Sequence, residues 1–324
     1  MYPLKFVNIY KEKPWGNELL KKFRGNIPDQ VIGESWDVSC QGDDISIIAN
    51  GEFEGMSLRE LIRLEGASLV GTQLVDVEFP LLMKILTVSD KLSVQVHPDD
   101  NYAQSVGEPY GKEELWYIMY AKEGSEIILG TKDCTRGEFE KSIKEDTSEQ
   151  LMQRIPLVAG DVFHIKPGLM HTVDGEVVLA EIQQNSDITY RVYDYNRGRE
   201  LHIDQALDCI DFNLKGEKSR GISINYETYT KTYYTVNYHF SVEVYSTKLG
   251  FTETSDCERF AIFTCVEGSG NIAYDGGTES ISLGDSILIP ATLGNYKFIG
   301  KLKLIKSYVP DLEAVRKEII KVIS

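Results

Sequence analysis

Apolar and polar positions alternate over short runs along most of the chain, and the runs end in turn residues. That period-two pattern belongs to strands with one covered face. VVLAEIQ (177–183), ISIIANGEFEG (45–55) and SISLGDSILIP (280–290) are examples. Together they predict an all-β sandwich or barrel. Helical periodicity is confined to inserts. SLRELIRLEG (57–66) carries Ser57 and Glu60 as a capping box and Gly66 as a stop. GEFEKSIKEDTSEQLMQRI (137–155) places Phe139, Ile143, Leu151 and Met152 at near-helical spacing. LHIDQALDCI (201–210) and the tail DLEAVRKEIIKVIS (311–324) read as amphipathic helices.

The strand pattern repeats internally. ELWYIMYAKEGSEI begins at Glu114 and ERFAIFTCVEGSGNI at Glu258. Aligned without gaps, they match at Glu114/Glu258, Ile118/Ile262 and Glu123-Gly124-Ser125/Glu267-Gly268-Ser269. A second matching piece follows each: GDVFHIKPGLMHT from Gly160, and GDSILIPATLGNY from Gly284. Two matches in the same order read as a duplication. The paired motifs resemble the cupin superfamily of small jelly-roll barrels, whose second motif, G-D-x₄₋₅-P-x-G-x-x-H, carries a metal ligand. His171 holds that place in the first copy. The second copy has Leu293-Gly294-Asn295 there and no histidine nearby. It reads as a barrel without a metal site.

A strand ending at a proline turn, LSVQVHPDD (92–100), supplies the candidate chemistry. Gln95 and His97 are two apart, so they share a face. Pro98-Asp99-Asp100 is turn chemistry. Glu114 starts a long strand and His171 ends the Gly-Asp piece, so all four could meet at one barrel mouth. Two imidazoles, a carboxylate and an amide oxygen suit a divalent ion such as Zn²⁺. His164, His202 and His239 lack such company and read as structural.

Composition narrows the classes. At 324 residues, two domains are expected. A formal net charge of −16 leaves no basic surplus for nucleic acid or an anionic membrane, but allows a small phosphorylated substrate. No run approaches a membrane span, and the N-terminus lacks the long apolar stretch of a secretory signal. Five scattered cysteines without a CxxC pair point to reduced thiols in a cytoplasmic protein. Oligomeric state leaves no mark in the sequence.

LSVQVHPDD, GKEELWYI and TYRVYD, with the opening KEKPWGNE, resemble the type I mannose-6-phosphate isomerases over nearly the whole chain. The resemblance implies a mainly β fold of two cupin-type jelly-roll barrels with a few inserted helices. It divides the chain into a catalytic domain, 1–235, and a degenerate second cupin with a terminal helix, 236–324. It implies one Zn²⁺ per chain on Gln95, His97, Glu114 and His171, and a small sugar phosphate as substrate. The family's active-site arginine falls on Arg191, its serine on Ser93, its lysines on Lys84 and Lys112, and its glutamate on Glu181. The implied activity interconverts mannose 6-phosphate and fructose 6-phosphate through an enediol. Lys84, Lys112 and Arg191 are cations for phosphate or enediolate. The residues leave the base open among Lys112, Glu181 and a metal-bound water. On residues alone, Lys84 in FPLLMKIL also reads as a lysine snorkelling to the surface, and Arg191 as a stacked surface arginine. Two other readings stand beside the isomerase. Two histidines and a glutamate also serve Fe(II) oxygenases, which iron content and oxygen-dependent turnover would reveal. A non-catalytic sugar-binding cupin would show neither metal nor turnover.

Overall fold

In the computed structural model, residues 1–25 and 27–323 are described. Two facing sheets make the first barrel. One runs Val162–Ile165, Glu114–Ala121, Val177–Gln184, Leu81–Val88, Ile32–Val38, Ile9–Asn17. The other runs Met152–Pro156, Glu126–Thr131, His171–Asp174, Val94–Val96, Tyr190–Tyr193. The second barrel is built on two fourteen-residue strands, Ala261–Tyr274 and Asn295–Tyr308, each long enough to serve both of its faces. Ile222–Asn225 and Tyr229–Val236 join its sheet by pairing toward Ser241–Thr247. The expected boundary at 235/236 therefore falls at the end of a strand whose ladder partners lie on both sides of it. The N-terminal strand Leu4–Val7 also enters this sheet, with Leu4 opposite Leu288.

Strand Leu81–Val88 shows why the barrels stay together. All eight of its residues are buried. Leu81 and Met83 face a cluster shared with Phe240, Val242, Phe260 and Leu288 of the second barrel. Leu86 and Val88 face the interior of the first barrel with Trp116 and Phe163. A strand covered on both faces carries a continuous apolar run instead of an alternating one. In FPLLMKIL, Lys84 is the exception, and its position in the alternation turns it inward.

Helix Leu58–Glu65 has both capping-box hydrogen bonds at Ser57 and Glu60, and stops at Gly66. Helices Ile203–Cys209 and Leu312–Ile323 lie within the expected segments; Ser324 lies outside the described residues. Segment 137–155 differs. Its helix, Arg136–Lys144, ends in a Schellman motif: Asp146 has φ 55°, and the Thr147 amide bonds back to the Ser142 carbonyl. Leu151 and Met152 continue the apolar pattern, but Met152–Pro156 is a strand on the edge of Glu126–Thr131. An open sheet edge outweighs helical periodicity here. The Pro98-Asp99 turn also does more than turn. Asp99 caps the helix Asp100–Ser105 by accepting from the Tyr102 amide.

The duplication is present, and its register is not the gap-free one. The Ile118 amide bonds to the Asp161 carbonyl, and the Gly160 amide to the Ile118 carbonyl. Cys265 makes the same pair of bonds with Asp285 and Gly284. Ile118 therefore corresponds to Cys265, three residues beyond Ile262, and Glu114 corresponds to Ala261. Gly124 sits in a tight turn that carries the chain from one sheet to the other, whereas Gly268 sits inside a long strand, so the two Glu-Gly-Ser triplets match in letters only.

Candidate active site

Alternation on six strands turns the candidate residues to the inside of the first barrel, and Lys112 joins them from the segment that leads into Glu114. Val94 and Val96 pack outward against Ala206 and Leu207 of an inserted helix, which turns Ser93, Gln95 and His97 inward. Leu115 and Tyr117 face the second barrel, which turns Glu114 and Trp116 inward. Ala180 and Ile182 do the same for Glu181. Tyr190 and Val192 pack outward, and Arg191 lies directly across the ladder from Gln95. His171 also pairs with Gln95, on its other side.

The ligating atoms of His97, Glu114 and His171 all lie within 4.8 Å of one another, and all three residues are buried. Each imidazole spends Nδ1–H on a backbone carbonyl, His97 on Ile188 and His171 on Leu169, both at 2.9 Å. That fixes the tautomer and leaves each Nε2 as a bare electron pair. His171 Nε2 stands 3.0 Å from Glu114 Oε1, and His97 Nε2 stands 3.6 Å from Glu114 Oε2. His97 Nε2 and both Glu114 oxygens are buried without a hydrogen-bond partner. Gln95 brings its amide to 3.3 Å from His171 Nε2, and a half-turn of that amide presents its oxygen to the same point. Two imidazole nitrogens, two carboxylate oxygens and an amide converging on one buried point suit a cation. Electrostatics agree. Burial, reinforced by Lys112, pushes His97 down to about 3, so the ring stays neutral and able to ligate. Burial works to raise the Glu114 carboxyl, but the Lys112 ammonium outweighs it and holds the carboxyl well below the carboxylate range.

Beside this centre opens a cleft of about 220 Å³, room for one small polar molecule, lined in part by Ser93, Gln95, Lys84, Lys112, Glu181 and Arg191. The Lys112 ammonium is 3.2 Å from Glu114 Oε2. Lys84 does not snorkel. It is buried, 3.3 Å from Glu181 and 3.5 Å from Asp187, with its ammonium 4.7 Å over the Trp36 ring. Burial raises the Glu181 carboxyl, and the nearby Glu114 charge adds to it. Trp116 donates Nε1–H to Glu181 Oε2 at 2.8 Å, so a core side chain also aims the carboxyl. Arg191 is half-buried. Its Nη1 donates to the Glu200 carbonyl at 2.7 Å, and its backbone amide donates to His202 Nδ1. Its Nε is buried with no partner, and burial and the neighbouring Arg199 pull it below the ordinary arginine value. That is a positive centre short of an anion.

The chain can be placed among known proteins on these grounds. The pattern described as the phosphomannose isomerase type I catalytic domain matches residues 3–109, and the mannose-6-phosphate isomerase cupin domain matches 229–309. The chain is 33% identical to a mannose-6-phosphate isomerase of Streptococcus mutans, over 94% of this chain and 98% of that one. It belongs to the mannose-6-phosphate isomerase family. The similarity to the Bacillus subtilis mannose-6-phosphate isomerase ManA is also 33%, over 95% and 99%. The crystal structure of a mannose 6-phosphate isomerase from Bacillus subtilis superposes with a TM-score of 0.88 at 32% identity, covering 95% of this chain and 99% of that one.

Within this family member the cleft holds residues that motif reading passed over. Lys13, Glu34, Asp187 and Arg199 line it together with Trp15. Arg199 lies over the Trp15 ring, 4.8 Å from its centre, and is held by Asp194. The opening KEKPWGNE carried Lys13 and Trp15 in plain view; Asp187 and Arg199 come from loops without a motif. Nor are the three remaining histidines idle. His164 is 2.6 Å from Glu113, and Asn237 of the second barrel donates to the same oxygen at 2.7 Å. The segment bearing Lys112 and Glu114 is therefore clamped between the barrels. Among the described residues, no helix is long and apolar enough to cross a membrane.

Proposed function

We propose that this protein is a metal-dependent isomerase interconverting mannose 6-phosphate and fructose 6-phosphate, with Zn²⁺ held by Gln95, His97, Glu114 and His171. The observation that carries the reading is the convergence of His97 Nε2 and His171 Nε2 on the two oxygens of Glu114, with His97 Nε2 and both oxygens buried without a hydrogen-bond partner. Two imidazoles, one carboxylate and one amide suit zinc, and a single carboxylate leaves the site net positive. When bound, the ion supplies Lewis acidity toward a sugar oxygen.

The rest is done by side chains. The cleft grades from buried to exposed cations: Lys84 and Lys112 are buried, while Lys13, Arg191 and Arg199 stand nearer solvent. This order seats the sugar carbons deep and the phosphate at the mouth, where Arg191 lacks an anion. Glu181, with a raised proton affinity and a fixed orientation, carries the proton between C2 of the aldose and C1 of the ketose. Lys84 keeps Glu181 ionised between turnovers, and Lys112 offers a proton to the enediolate oxygen. Gln95 as a fourth ligand, and five cations around the cleft, favour this reading over a ferrous oxygenase. A coupled assay for fructose 6-phosphate, with and without a chelator, tests it. Activity that disappears on chelation and returns with zinc is expected. A well-folded preparation inactive under every metal would contradict it.

A further inference from the structure

The corrected register shows that the second barrel repeats the catalytic cleft with its charges exchanged. In the first barrel Glu181 lies across from both Trp116 and Lys84. In the second, Lys306 lies across from both Phe263 and Glu243. Trp116 and Phe263 are each two residues before the matched pair Ile118 and Cys265, so Glu181 corresponds to Lys306 and Lys84 to Glu243. One strand further, Trp36 faces Lys84 and Glu34 faces Leu86, while Tyr233 faces Glu243 and Lys231 faces Tyr245. Glu34 thus corresponds to Lys231. The buried series Glu34–Lys84–Glu181 becomes Lys231–Glu243–Lys306.

The metal positions have changed as well. His171 and Asn295 each lie eleven residues after the Gly-Asp glycine, and they pair with Gln95 and Thr254. The four ligand positions therefore hold Thr254, Asp256, Ala261 and Asn295. Thr254 donates to Asn295 at 2.6 Å, and nothing there gathers a cation.

A cavity persists at this second position, again of about 220 Å³, and Thr254, Asp256 and Ala261 line it. The helix Leu312–Ile323 roofs it through Val315 and Glu318. Its charge differs from that of the catalytic cleft. There, five cations stand against Glu34, Glu181 and Asp187, a surplus of two. Here Lys231, Arg259 and Lys306 stand against Glu243, Asp256, Asp311 and Glu318, a deficit of one. A phosphate dianion finds no net attraction in such a wall. A neutral polyol suits this wall: its ammonium, carboxylate and phenol groups are paired with one another, Lys231 with Glu243 and Glu318 and Tyr308 with Glu243, or with Glu253 in the case of Lys306 and Tyr296, and hydroxyls that both donate and accept can bridge such pairs without adding charge. Arg259 spends only Nη1 on Asp256 and Glu258, which leaves its other N–H groups to donate. Phe260, Tyr296 and Tyr308 supply apolar ring surface for the carbon skeleton.

We propose that the second barrel is a binding site for an uncharged hexose, a charge-inverted relative of the catalytic cleft that rejects the phosphorylated form. Saturation-transfer NMR on the full-length protein tests this, using D-mannose, D-glucose and D-fructose, with inorganic phosphate and D-glucosamine in parallel. Wild type is compared with Arg259→Ala at the lip of the cavity and Ala261→Leu in its wall. The difference between wild type and variant isolates the second barrel whatever the first one binds. At least one neutral hexose should bind wild type and lose tenfold or more in affinity in both variants. Melting temperature and isomerase activity should stay near wild type. If Ala261→Leu disturbs the fold, Arg259→Ala alone carries the comparison. Equal hexose binding in wild type and variants, or a difference seen only with phosphate or with glucosamine, overturns the proposal.

Discussion

Lys84 and Glu181 face each other across one rung of the first barrel, ammonium to carboxylate 3.3 Å apart, both buried. If Glu181 is the proton carrier, as proposed, this pair tunes it. Burial and Glu114 raise the Glu181 carboxyl, and Lys84 is among the charges that pull it back. A base works deprotonated, so activity rises with pH as Glu181 ionises. Lys84→Met removes a cation, raises the carboxyl further and moves the acidic limb of kcat/KM to higher pH. Turnover should also fall at least about tenfold, and the broken buried pair should cost about 3–5 kcal/mol of stability. A pH–rate profile with a thermal melt checks both. An unmoved limb would detach Glu181 from the proton transfer.

Arg191→Ala should leave the metal in place and slow turnover about a hundredfold or more, as expected for a charge aimed at the reacting ligand. Elemental analysis beside steady-state kinetics decides it. Near-wild-type kinetics would remove Arg191 from the site.

Asp194 binds Arg197 and Arg199 at the cleft. Burial works to raise its carboxyl, but the arginines outweigh this and hold it below the usual value. A depressed carboxyl contributes stability above its unfolded pKa, roughly 3.9, and loses it as pH falls through the folded value. Asp194→Asn should therefore cost about 1.5–3 kcal/mol near pH 7, and the gap to wild type should close in strong acid. Freed of its anchor, Arg199 should also hold the phosphate less well and raise KM. Denaturant melts across pH and a KM measurement test the two effects.

Asn237→Ala removes a second-barrel donor from Glu113, beside the proposed ligand Glu114. Looser placement of this segment should weaken metal retention about tenfold, read by chelator competition. Unchanged retention would make the contact purely structural.

The convergence of Gln95, His97, Glu114 and His171 was readable because strand alternation is strict. Gln95 and His97 two apart must share a face, and Val94 and Val96 supply the apolar reason for which face it is. Lys84 was ambiguous in sequence because a strand covered on both sides has no polar face to betray its direction. Asp187 and Arg199 were invisible, since closure of the barrel brings them to the cleft from loops. The repeat was visible but misregistered. Similar letters at Glu-Gly-Ser aligned a turn with a strand interior, and only the paired amide bonds at Ile118 and Cys265 restored the match. The charge exchange between the barrels emerges only from that register.

The most direct measurement pairs metal content with isomerase activity in wild type and His97→Ala. Wild type should carry about one zinc per chain and convert mannose 6-phosphate, and the variant should lose metal and turnover together. A His97→Ala protein that keeps full activity after exhaustive chelation would contradict the central claim.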